Sequence, residues 1–432
     1  MAALTKWLNK VVKAFLLLCL IFYASGLKAQ DTAVISLQQA FSLAAQNYPL
    51  IQQKGLLKQT EQLSIQNLSS NFLPQLTVNG QATYQSDVTR VNIPLPNVKI
   101  PTPAKDQYKI VAEADQLLYD GGLNKAQKEI QSLNTNVQEN TLAVELYNLK
   151  VRINQLYFSI LYQDELLKQT GVTVKNIEAG INKVKPQVDN GVALRSNLQE
   201  LQAQLLQIRQ RVIEIKATRK GLTDALAVFI NQPITENTAL EMPADDNAGD
   251  TAIMRPELQL YQSQSQLAAG QERLIDARIL PKASAYFQGG YGRPALNLLS
   301  NEFKPFYITG LRLNWSLSSL YNTKRDKKLI DINQQTINLQ KDVFLQNTQS
   351  QLQQQKADIA KYVALVATDN DIIQLRQQVT EAAKAQLENS VITANDYIIQ
   401  VNAEDAARQS LILHQLQLKQ AQIAYAITIG KL

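Results

Sequence analysis

Asn71-Phe72-Leu73-Pro74, followed ten residues on by Tyr84, and Arg278-Ile279-Leu280-Pro281, followed ten residues on by Tyr291, are two copies of one strand start, 207 residues apart. Pro49 and Pro256 stand at the same offset. Asn190-Gly191-Val192 with Ser196-Asn197 matches Asn389-Ser390-Val391 with Asn395-Asp396 at an offset of 199. A repeat of this length sets the architecture before any local reading does. The shortening falls mostly between the two strands of each half, so the first half has the longer loop there.

Each half reads helix, strand, strand, long helix, helix. In the four strands apolar and polar residues alternate: Leu76, Val78, Ala82 and Tyr84 against Thr77, Asn79 and Gln81; Tyr108, Ile110 and Ala112 against Lys109 and Glu113; Ala283, Ala285, Phe287 and Tyr291 against Ser284 and Gln288; Leu311, Leu313 and Trp315 against Arg312 and Asn314. Period-two alternation gives a sheet one apolar and one wet face. Strands of about ten residues with these faces suit a transmembrane barrel. A sheet on a soluble core gives the same alternation. The leader-like N-terminus, Lys6, Lys10 and Lys13 before an apolar run over 14–23, and the aromatics near the strand ends, Tyr84, Tyr108, Tyr291, Tyr307 and Trp315, favour the barrel. Four strands cannot close one alone, and even eight leave room only for side chains, so several subunits must share one; three copies would give twelve strands.

The helices have matching lengths. Residues 123–185 make a rod of roughly 95 Å and residues 323–388 one of roughly 100 Å. Each is answered by two shorter helices end on, 194–231 with 49–71 and 394–429 with 256–278. Ile130, Val137, Val144, Val151 and Phe158 recur every seven residues; so do Leu142, Leu149 and Leu156, about 200° around the helix. Leu345, Leu352, Ile359, Val366 and Ile373 form a further seven-residue run. Two opposed apolar stripes predict a neighbour on each side, as in the wall of a supercoiled tube. The expected class is therefore mainly α with a small transmembrane β-barrel: two tandem repeats forming a trimeric α-barrel/β-barrel channel-tunnel.

The expected domains are a signal peptide over residues 1–29, a first repeat over 30–231, an acidic connector over 232–254 and a second repeat over 255–432. The first repeat has strands about 74–84 and 108–119 and helices about 37–71, 123–185 and 194–231. The second has strands about 281–291 and 307–317 and helices about 256–278, 323–388 and 394–429. The leader is read from Lys6, Lys10 and Lys13, an apolar run over 14–23, and small residues up to Ala29. Its removal takes Lys6, Lys10, Lys13 and Lys28 and changes the net charge from +6 to +2, which gives no electrostatic case for nucleic acid. It also takes Cys19, the only cysteine, which excludes disulfides, thiolate metal sites and a cysteine nucleophile. No later run is long and apolar enough to predict a membrane-spanning helix.

The chain resembles the TolC family of outer-membrane efflux proteins over nearly all of the mature sequence. The features that carry this are Leu37-Gln38-Gln39-Ala40 with Asn47-Tyr48-Pro49, the paired Leu73-Pro74 and Leu280-Pro281, Leu118-Tyr119-Asp120-Gly121-Gly122, Asn190-Gly191-Val192 and Arg255-Pro256-Glu257-Leu258. The resemblance implies a homotrimer with a twelve-stranded barrel in outer-membrane lipid and a helical tunnel in the periplasm. It implies a periplasmic adaptor (membrane fusion) protein and an inner-membrane transporter as partners, in a tripartite efflux or type I secretion system of a Gram-negative cell. It places the tunnel entrance at the helix turns, so that Asp396 is the acid expected there, and Ile399 stands where the family has a second. Ser390 stands at the family's turn glycine, and Tyr321-Asn322 replaces the Gly-Gly of the first half. The turns, Asn190, Gly191 and Val192 with Asn389, Ser390 and Val391, are the expected adaptor contact. The simpler reading of these residues is turn chemistry, since Asn and Gly tolerate positive φ. That of Asp396 is an acid favoured by the helix dipole. Lys109, Glu113, Asp115 and Arg312 are expected in the barrel lumen, with Tyr84, Tyr108, Tyr291, Tyr307 and Trp315 as the aromatic belt.

No enzyme is expected, and no cofactor, metal or catalytic residue. His414, the lone histidine, reads as a surface or packing residue, and Asp120-Gly121-Gly122 lacks the Gly-Lys-Ser/Thr of a P-loop. The alternative function is an exported coiled-coil structural or adhesin protein with no channel. It would share the leader and the heptads but has no need of four alternating strands. Nothing in the sequence names a cargo.

Overall fold

The computed structural model describes residues 34–89, 102–236, 238–244 and 252–432, so the expected leader lies outside them. In chain order the elements are β1 (Val34–Ile35), α1 (Leu37–Asn47), a 3-10 turn (Pro49–Gln52), α2 (Gln53–Ser69), β2 (Gln75–Tyr84), β3 (Asp106–Tyr119), α3 (Leu123–Asp189), α4 (Arg195–Ile230), β4 (Ala239–Leu240), α5 (Pro256–Arg278), β5 (Lys282–Arg293), β6 (Lys304–Asn314), α6 (Leu320–Glu388) and α7 (Ala394–Ile429). The chain divides into two units. One holds residues 49–147 and 253–350; the other holds 1–48, 148–252 and 351–432, and both α3 and α6 contribute to each.

The first unit is built on a four-stranded antiparallel sheet of order β2-β3-β5-β6. The second of these pairings joins the halves of the sequence: Glu113 faces Gln288 and Ala112 faces Gly289. Asp120 ends β3 and caps α3, its carboxylate accepting from the N–H of Gly122 at 2.8 Å and of Asn124 at 2.6 Å. Asn124 in turn donates to the Leu68 carbonyl at the end of α2. In the second unit Ile177, Val184, Leu201, Ile208, Ala383, Leu387, Tyr397 and Val401 form one apolar core among α3, α4, α6 and α7. The stripe of Leu142 and Leu149 is buried along α3, and Leu352 and Ile373 along α6.

Several boundaries differ from expectation, each for a local reason. The helix expected over 37–71 is broken: Tyr48 is extended at ψ 128°, the conformation that a following proline enforces, and Pro49 opens a 3-10 turn. The helix expected to stop at 185 runs through Pro186 to Asp189, with the bond that the Pro186 nitrogen cannot donate missing from the ladder. The helix expected over 194–231 loses one residue at each end, Leu194 as extended N-cap and Asn231 as a left-handed cap at φ 52°. The strands expected at 108–119 and 281–291 span 106–119 and 282–293. The strand expected over 307–317 lies at 304–314, which puts Trp315 just beyond it. The cause is the absent Gly-Gly: the chain leaves β6 through a 3-10 turn at Leu317–Ser319 and is helical from Leu320. The connector holds a strand, β4, which pairs in parallel with β1.

Candidate functional site

The register puts each strand's alternation on a common face. Leu76, Val78, Ala82 and Tyr84 of β2 share a face with Tyr108, Ile110 and Ala112 of β3, Ala283, Phe287 and Tyr291 of β5, and Tyr307, Leu311 and Leu313 of β6. This face is bare: Leu76 and Leu311 are each 79% exposed and Val78 69%. Four aromatics, Tyr84, Tyr108, Tyr291 and Tyr307, gather at its loop end, with Phe287 stacked on Tyr307 at 6.3 Å. At the other end Trp315, 55% exposed, donates its indole N–H to the Ile279 carbonyl at 3.0 Å. Ten residues of strand separate Tyr291 from the level of Trp315, about 34 Å along the strand. A tilt of about 40° reduces that to about 26 Å, the height of a lipid-facing band.

The opposite face is polar and its charges meet. Arg312 donates to Asp115 at 2.9 Å and to Glu113 at 3.2 Å, across the width of β5. Between them Gln288 donates to Glu113 at 2.9 Å and Ser284 to Asp115 at 3.3 Å. The Arg312 guanidinium lies 4.7 Å over the Tyr286 ring. Lys109 stands apart, its ammonium 4.8 Å from the Phe306 ring centre. Three of the four expected lumen residues thus form one constellation and the fourth does not. Ser284, Tyr286 and Gln288 belong to it too; their signal was parity with Arg312, legible only once the register is known.

In the second unit the two helix turns are nearly superimposable in bonding. Val192 N–H bonds the Gln187 carbonyl at 2.7 Å and Gly191 N–H the Val188 carbonyl at 3.0 Å; Val391 bonds Gln386 at 2.8 Å and Ser390 bonds Leu387 at 3.0 Å. Both are paired six-to-one and five-to-two bonds around a left-handed residue, the Schellman closure of a helix. Asn190 and Asn389 each close the last helical turn with their own N–H. Gln187 ties the turns together by donating to the Glu388 carbonyl at 2.9 Å. Val192 and Val391, just beyond, are 65% and 70% exposed.

Asp396 is exposed and closes a capping box on α7: its carboxylate accepts from Thr393 N–H at 3.0 Å and from the Thr393 hydroxyl at 2.7 Å. The hydroxyl bond first, then the backbone bond, hold its carboxyl below the usual 3.8. His414 pairs with Asp369 at 2.6 Å between α7 and α6. Tyr157, fully buried, sets its hydroxyl between the Ile35 and Glu241 carbonyls at 2.7 and 2.6 Å, pinning β1 and the connector to α3. Among the described residues no group of three or more His, Cys, Asp or Glu is placed to hold a metal ion, and no helix is long and apolar enough to cross a membrane.

Residues 40–231 match the family model described as outer membrane efflux protein. No curated protein sequence matches the chain. The chain is similar in structure to the outer membrane protein VceC of Vibrio cholerae, at 13% identity and a TM-score of 0.64 over 91% of this chain and 96% of that one. It is similar to CusC, at 14% identity and a TM-score of 0.66 over 91% and 92%. It is also similar to the open state of the Neisseria gonorrhoeae MtrE outer membrane channel, at 15% identity and a TM-score of 0.62 over 91% and 89%. Residues 40–231 are thus similar to the outer membrane efflux protein family, and the fold of the chain is that of outer-membrane channels of the TolC type.

Proposed function

We propose that this chain is the outer-membrane channel-tunnel of a tripartite efflux or type I secretion system, conducting solutes out of the cell from an inner-membrane transporter. One observation carries the reading: a sheet with a bare apolar face, a charged face and two open edges. In lipid the apolar face needs no cover, while the edges must be paired. β2 and β6 run in opposite directions, so β6 of one copy pairs antiparallel with β2 of the next. Two copies would make eight strands, a barrel filled by its own side chains; three make twelve and leave a lumen. Arg312, Glu113, Asp115 and Lys109 then line it.

The helices support the same assembly. Leu206 and Ile213 on α4, and Leu329, Ile332, Leu339 and Val343 on α6, are exposed apolar residues at helical spacing. A neighbouring copy on each side covers them, and the polar faces between meet water inside and outside a periplasmic tunnel. The turns at Asn190–Val192 and Asn389–Val391, with their exposed valines, are the surface for a periplasmic adaptor. Asp396, beside the second turn, contributes three carboxylates to the entrance.

The test is purification of the mature chain from outer membranes. A trimer that dissociates on heating and gives stepwise conductance in planar bilayers is the expected result. A water-soluble monomer without conductance sinks the proposal, and fibres sheared from the cell surface would point to the adhesin instead.

A further inference from the structure

Thr323-Lys324-Arg325-Asp326-Lys327-Lys328 lies in the second and third turns of α6, within fourteen residues of the end of β6 and of Trp315 just after it. Its cations have unequal partners. Lys327 is held by Asp276 of α5 at 2.7 Å and Glu272 at 3.6 Å, and Lys328 by Asp331 at 3.1 Å. Among the described residues Arg325 donates to neutral groups, the Asn322 amide oxygen at 2.6 Å and the Tyr321 carbonyl. Lys324 has no acidic partner among the described residues and is exposed. Lys324, Arg325, Lys327 and Lys328 together line a cavity of about 470 Å³ between α6 and α5, with Glu272 and Asp331 on its other sides. Two surplus cations therefore face an open cavity.

We propose that this cavity receives the headgroup of an anionic glycerophospholipid from the leaflet at the helix end of the barrel. The inference rests on the membrane reading above, which puts Trp315 at headgroup level and the cavity immediately beyond it. A phosphodiester there meets Lys324 and Arg325, and the aromatic beside them anchors the same interface. Acyl chains then lie along the bare face of β6, on Leu313 and Leu311. Basic residues just outside a membrane surface each add an attraction to anionic lipid that falls off within a Debye length.

The full-length trimer reconstituted in vesicles of phosphatidylcholine, alone or with one-fifth phosphatidylglycerol, tests this by quantifying lipid co-purified on mild extraction. Phosphatidylglycerol enrichment by the native protein is expected, weakened at least about tenfold in the Lys324→Gln/Arg325→Gln double variant and retained by Lys324→Arg. A Lys168→Gln/Lys220→Gln variant, altered far along the chain, keeps the enrichment. Equal insertion of native and double-variant protein with no difference in enrichment overturns the lipid site and leaves the channel reading standing. Competition by millimolar inorganic phosphate to the same extent assigns the cavity to a soluble anion and overturns it as well. Failure of the native protein to float with vesicles of either composition overturns the channel reading, and this inference with it.

Discussion

Ser390 holds, at φ 59°, the left-handed conformation that Gly191 holds at φ 72° in the matching turn. The bonds around the two residues are the same, so the fold imposes the conformation and the side chain bears it. A non-glycine residue there costs roughly 1–2 kcal/mol. Ser390→Gly is therefore expected to raise unfolding stability by about 1 kcal/mol, and Gly191→Ser to lower it by a similar amount. Urea midpoints followed by helical circular dichroism decide this; a Ser390→Gly midpoint below the native one refutes it.

Gly121 and Gly122 both have positive φ, 71° and 81°, but different surroundings. A Cβ on Gly121 would lie 2.6 Å from the Leu280 Cβ and 3.0 Å from the Ala277 carbonyl oxygen, whereas one on Gly122 meets nothing within 4 Å. Gly121→Ala is expected to abolish the assembled form and Gly122→Ala only to weaken it, by about 1–2 kcal/mol. Yields of the heat-sensitive oligomer on gels separate the two; equal yields would contradict the close approach.

Arg312 bridges Glu113 and Asp115 on the polar face of the sheet and offsets one of their two charges. Arg312→Gln leaves two carboxylates per copy without their cation. Cation-over-anion permeability in planar bilayers should rise severalfold, with Arg312→Lys in between. An unchanged reversal potential under a salt gradient would remove these residues from the conduction path.

Thr393 and Asp396 form a reciprocal cap, so Thr393→Ala should cost about 1 kcal/mol. The Asp396 carboxyl is held below its usual 3.8, hence its ionised form stabilises the fold. That contribution is complete above the ordinary carboxylate range and is lost as pH falls through the lowered value. Native protein and Asp396→Asn are expected to differ in stability at neutral pH and converge in strong acid. Asp396→Ala should also change single-channel conductance and ion selectivity; unchanged values confine the residue to capping.

What could be read from the sequence is what repeats at short range. Alternation in β2 or β5 is a local property, and so the faces of Leu76, Val78 and Phe287 were legible. Pairing between distant strands is not. Glu113, Asp115 and Arg312 were separately visible as polar-face charges, but their meeting requires the β3-β5-β6 register, which no single strand encodes. The β6 boundary moved for a related reason: Trp315 and Leu317 continue the alternation of Leu311 and Leu313, yet the chain leaves the sheet after Asn314 and is helical from Leu320. Tyr157 escaped notice because its two carbonyl partners lie 122 and 84 residues away. The Schellman turns were half legible, as Asn190-Gly191 announces a left-handed residue and Asn389-Ser390 does not.

The open margins of the sheet also bear on how such a molecule is made. β2 and β6 each leave about five N–H and as many carbonyl groups without a strand beside them. In hydrocarbon every one of these is costly, so a lone subunit has no stable resting place inside the bilayer. On the proposed channel reading, copies must therefore find one another before or during insertion, and until they do, a margin of this kind is a template for the wrong neighbour. Cells that overproduce the chain should accumulate a water-exposed precursor that needs an escort, rather than a pool of single subunits already embedded.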